Sequence, residues 1–201
     1  MGLGPVKQTA AGVIPVFAKV FELFTGGFSV VSTNLRDDVT LPAGSLFTVD
    51  EETRQATPIK TAKLAATAAN DATQIKVDSA RYFKVGDNVA LVADGSAFYI
   101  NQITATGGAY DIIHLGTALG IAATVGSDNN VLFLSGVHGT TGARLEGTAN
   151  AISAYDVKVN GNLQNFISVL RRGTAYKKRI QPHLAGHISD LPDTIEISKS
   201  Y

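Results

Sequence analysis

At 201 residues the chain is long enough for one generous domain or two small ones with a substantial core, and 45% hydrophobic against 17% charged residues is a folding composition rather than a disordered one. Seventeen basic residues balance seventeen acidic ones, so no global field draws the chain to nucleic acid or to an anionic membrane. Cysteine is absent, which excludes disulfides, thiolate nucleophiles and cysteine-based zinc sites.

The longest apolar stretch, Ala10 to Phe24, is interrupted by Pro15, Lys19 and Glu22 and is too short to span a bilayer. Lys7 alone, with no small-x-small cleavage pattern, makes a poor secretory signal, and Val6 stands where N-myristoylation wants Ser or Thr; a cytosolic product is expected. Val13, Val16, Phe17, Val20, Phe21 and Phe24 fall at helical spacing. They predict a short amphipathic helix or arm within residues 1–27, closed by Gly26-Gly27 and packed on the body of the protein or on a partner.

After Gly27 the pattern turns to strands. Phe28 to Thr33 is β-rich, Leu41-Pro42-Ala43-Gly44 is a turn feeding Ser45 to Val49, and Ala56 to Lys60 is a further short run. The alanine-rich Ala62 to Asn70 reads as a connector. Strands are expected at Gln74 to Asp78, Asn88 to Val92, Phe98 to Ile103, Tyr110 to Leu115 and Val131 to Leu134, with glycines between them, which is the pattern of a small barrel or sandwich. Glycines at 136, 139, 142 and 147 predict a long exposed loop. Strands resume at Asp156 to Val159, Phe166 to Leu170, Ala175 to Ile180 and Thr194 to Ser198. The fold class is therefore mainly β. An outer β-domain, residues 28–61 plus 135–201, is interrupted by a small inserted β-domain, residues 62–134, because a loop whose ends already meet accepts an insertion at little cost.

The candidate chemistry is thin. His183 and His187 lie four apart, with Asp190 and Asp193 nearby, but Pro182 and Gly186 oppose the helix that would converge two imidazoles, so no metal site is expected. Ser135 lies outside any G-x-S-x-G elbow, and neither a G-x-G-x-x-G nor a phosphate-cradling loop is present, so neither enzymatic activity nor a cofactor is expected. Arg171, Arg172, Lys177, Lys178 and Arg179 put five cations in nine residues. On a strand, neighbours point to opposite faces, so they form no single patch there; they are a charged edge that resists aggregation or contacts to an acidic partner surface, with phosphate binding third. No basic-aromatic interleaving supports nucleic-acid binding.

Three segments carry a family resemblance. Leu41-Pro42-Ala43-Gly44-Ser45-Leu46-Phe47-Thr48-Val49-Asp50 resembles the opening of bacteriophage head decoration and head-fibre proteins, where L-x-A-G-x-x-hydrophobic-x-V-D begins a β-tulip-like domain. The run Ile167 to Tyr176 resembles their late strand. Ala72 to Asp78 with Phe83 to Val89 is similar to a small β-module of phage head and tail proteins. The resemblance implies a non-catalytic virion protein on the capsid surface, made in the host cytoplasm. It would contact the major capsid protein and other virion subunits and form a homo-oligomer, a trimer by preference. Lys177, Lys178 and Arg179 are then the candidate capsid contacts. The rival reading is a glycan- or receptor-binding module exposing Tyr82, Phe83, Phe98, Tyr99 or Tyr110; a hydrolase ranks last.

Overall fold

The computed structural model of the protein describes residues 15–126, 130–139, 141–160 and 165–198, the side chains at 25 and 26 excepted. Among these residues the regular structure is β throughout, apart from one short 3-10 turn at Ala185–Ile188. The strands are β1 (Phe17–Val30), β2 (Val39–Leu41), β3 (Leu46–Asp50), β4 (Gln55–Pro58), β5 (Thr61–Lys63), β6 (Gln74–Val77) and β7 (Asn88–Ala90). They continue with β8 (Ala97–Thr104), β9 (Asp111–Leu115), β10 (Val131–Leu134), β11 (Ala151–Ser153), β12 (Val157–Val159), β13 (Phe166–Tyr176) and β14 (Ile195–Ser198).

Two closed sheets result. In the first, the order β1-β4-β3-β11-β13 returns to β1 through antiparallel β1–β13 pairing, and β14 lies parallel against β13 beyond the end of β11. In the second, the order is β5-β10-β7-β8-β9-β6, and an antiparallel bridge between Leu64 and Val77 joins its two ends. Closure leaves few bare edges for another chain to extend.

Alternation builds each barrel. The strands β4 and β6 alternate between exposed and buried residues, so one face of each is apolar. Phe28, Phe47, Leu41, Ala151, Ile167 and Val169 fill one part of the first barrel, and Leu46, Ile59, Ile152 and Leu170 another. The second barrel has its own core, which includes Ile75, Phe83, Leu91, Ile100, Ile113 and Leu132. Burying a side chain of this size contributes about 1.5–3 kcal/mol.

The barrels meet along a packed seam. Tyr82 leaves the second barrel to join the core of the first, where its hydroxyl pairs with Ser45 Oγ at 2.8 Å. Burial pushes its phenol up to about 12. Phe133, Ala90 and Ala97 pack against Ala143, Leu145 and Leu184. Lys60, just before β5, reaches Asp87 at 2.6 Å, with both side chains almost fully buried.

Four sequence expectations are corrected. Residues 17–24 are strand, not helix, and β1 runs on through Gly26-Gly27; the expectation at residues 1–14 falls outside the described residues. The reason lies in the register. Between Phe17 and Lys19, and again between Val20 and Glu22, β1 advances two residues while β13 advances one. Each such bulge interrupts the period of two, and bulged alternation imitates helical spacing. The content of valine and phenylalanine was the better guide. Second, the expected connector Ala62 to Asn70 contributes a barrel strand, β5, and the bridges at Leu64 and Ala68. Third, β11 lies in a stretch where no strand was expected; it is buried on every residue, so it shows no alternation. Fourth, the expected strand Ala175 to Ile180 ends at Tyr176, and Lys177, Lys178 and Arg179 form a turn.

Candidate functional site

The turn at 177–179 follows from its neighbours. Tyr176 O accepts hydrogen bonds from Arg179 N at 2.8 Å and Ile180 N at 3.2 Å, which folds the chain back on itself. Ile180 is buried, and Gln181 behind it is held on three sides. Its Nε2 donates to Ile59 O and Thr61 Oγ1, and its Oε1 accepts from Leu46 N. Gln181 N also donates to Gly44 O at 3.0 Å, tying the turn to the Leu41-Pro42-Ala43-Gly44 segment. Gly44 has φ +86°, and a Cβ there would press on Val16 and on the backbone at Arg179, so glycine is required.

With the core side chains of this segment anchored inward, Lys177, Lys178 and Arg179 are all exposed. None forms an ion pair among the described residues. A turn removes the strand rule that would send neighbours to opposite faces, so the three cations are exposed together on one short turn. Arg171 and Arg172 behave differently. Arg171 pairs with Glu22 at 3.4 Å and lies over the Phe24 ring, and Arg172 lies over Phe21. These two cations are engaged with β1.

Beside the turn a cleft of about 340 Å³ opens along the seam between the barrels. Pro42, Ala43, Ile180 and Pro182 give it an apolar lining, and Arg81 and Arg179 are its two cations. Arg81 is set by its own loop: Nε donates to Ser79 Oγ at 2.8 Å. Sequence reading singled out Arg179 and missed Arg81. A lone arginine in a turn carries no pattern, and only the fold brings residues 81 and 179 to one cleft.

The other candidates resolve as follows. His187 is buried against Phe133, and its Nδ1 accepts from Leu184 N at 3.0 Å. Burial, reinforced by neighbouring His183, holds its pKa down to about 4. His183 Nδ1 pairs with Gln181 O at 2.8 Å, and burial lowers its pKa as well. Among the described residues, no three histidine or acidic side chains are grouped to hold a metal ion. Ser135 Oγ is taken up by Val137 O, Val137 N and Arg144 N. Of the aromatics that a glycan site would use, Tyr82, Phe83 and Phe98 are core; Tyr99 remains exposed, and half-exposed Tyr110 lies under Lys76.

No helix among the described residues is long and apolar enough to cross a membrane. Comparison with known proteins adds no relative: no family model, no curated protein and no solved structure matches the chain.

Proposed function

We propose that the chain is a non-catalytic virion protein that decorates or stabilises a bacteriophage capsid, docking on the shell through its basic turn. The observation that carries this reading is the meeting of distant segments at one seam. The Leu41 to Asp50 run and the Ile167 to Tyr176 run, the two stretches that resemble head decoration and head-fibre proteins, share one sheet, each paired with β11, and Gly44 O of the first accepts from Gln181 N, five residues past the second. Three unpaired cations project beside that junction. The partner is then the major capsid protein, whose docking surface is acidic. The mechanism is burial of complementary surface, about 1,600 Å² in a standard interface, repeated by the symmetry of the shell.

A homo-oligomer, by preference a trimer, fits threefold positions on such a shell. Exposed Val20 and Phe21 on β1 supply apolar surface for self-contact. The test is sedimentation of the protein alone and mixed with purified capsids. The reading predicts an oligomer that migrates with the shell. A monomer that stays in the supernatant at every ratio would contradict it.

A further inference from the structure

We propose that the cleft between the two barrels seats a short, extended, acidic segment of a protein partner, whose carboxylates Arg81 and Arg179 grip. The inference rests on the docking reading above and narrows it, from an acidic surface to a carboxylate-bearing peptide in a defined seat. At about 340 Å³ the cleft is at the small end of ligand sites, which run to about 300–1,000 Å³, so it takes a few side chains rather than a domain.

Its chemistry is two-sided. Pro42, Ala43, Ile180 and Pro182 accept an apolar side chain, while Arg81 and Arg179 carry planar forks that match carboxylates. Neither guanidinium is in an ion pair among the described residues. Arg81 is preorganised by Ser79 Oγ and by a 3.4 Å contact from Nη1 to Thr40 O, so little order is lost when it binds. The one acid in the lining, Asp78, turns Oδ1 to the backbone N–H groups of Lys63 and Ser79. Lys177 and Lys178 on the adjoining turn extend the positive field out from the cleft and would draw in the rest of an acidic segment.

The prolines and the aliphatic lining favour a peptide over a nucleic acid, because no exposed aromatic platform for base stacking lines the cleft. The test is fluorescence anisotropy at low salt with two labelled peptides, one alternating Glu with Val and one alternating Gln with Val. The Glu peptide should bind and the Gln peptide should not. Arg81→Ala and Arg179→Ala should each weaken binding by about twofold to fivefold, the range for ion pairs near the solvent boundary. Arg81→Lys should recover only part of the loss, since it keeps the charge and loses the fork. Lys158→Ala, which removes a cation paired with Asp38 elsewhere, should change nothing.

Equal affinity for the two peptides, or indifference to Arg179→Ala, would overturn the assignment. Tighter binding of a single-stranded oligothymidine of equal charge would overturn it in favour of nucleic acid. Because no capsid is present, the outcome is separable from the virion reading. Peptide binding without capsid binding removes the virion and leaves the cleft; capsid binding without peptide binding does the reverse.

Discussion

Gly173 marks the closest approach in the first barrel. A Cβ built there would collide with Lys19 O across the β1–β13 pair, and β13 is held on its other side by β14, paired at Ile195. Gly173→Ala should therefore cost about 1–3 kcal/mol by overpacking and lower Tm by about 2–4 °C per kcal/mol, measured by thermal melting. His187 sets a second residue-scale expectation. Its folded-state pKa, about 4, lies below the ordinary value of 6.5, so folding favours the neutral ring. The stability this contributes is complete above about pH 6.5 and is lost as the pH falls toward 4, on the order of 3 kcal/mol in all. Chemical denaturation at pH 7 and pH 4.5 should show this loss, and His187→Leu should shrink it. An unchanged pH dependence in the variant would place the acid sensitivity elsewhere.

The inserted element should be removable at a definable cost. Leu134 N donates to Lys60 O at 3.0 Å where the chain enters and leaves the second barrel, so a short Gly-Ser linker replacing residues 64–133 has only residues 61–63 to fold back over. The deletion strips Tyr82 from the first core and Asp87 from Lys60, whose pKa burial already lowers. With the second barrel gone the Lys60 ammonium meets water, so the main loss is the apolar cover that Tyr82 and Phe133 supplied. The deletion variant should therefore keep a cooperative melt and β-sheet circular dichroism at a lower Tm than the full chain. Loss of all cooperative structure would show that the first barrel depends on the second.

The same elements show how much was legible in the sequence. In β6 the alternation of Ile75 and Val77 with polar neighbours was readable because one face is core and the other solvent. In β1 bulges scrambled that alternation, and in β11 burial on every residue removed it. The basic run was visible as composition, but its placement on a turn came from Ile180 and Gln181 being drawn inward, a tertiary effect that local pattern does not encode. Arg81 owes its place in the cleft to that same packing.

At the scale of the whole molecule, zero net charge coexists with a local concentration of cations. Arg171 and Arg172 engage Glu22 and the β1 aromatics, and Lys177, Lys178 and Arg179 are left facing solvent. Two closed barrels joined by a packed seam form a scaffold that holds the turn and the cleft in fixed relation. Folding should be nearly indifferent to the sign of an exposed turn residue, since such charges contribute only about 0–1 kcal/mol. The most direct measurement is co-sedimentation of wild-type and Lys178→Glu protein with purified capsids across a salt series. The account predicts weaker binding by the variant at low salt and a difference that narrows as salt rises, because exposed charges are screened over about 8 Å at physiological ionic strength. Identical binding of the two proteins at every salt concentration would contradict it.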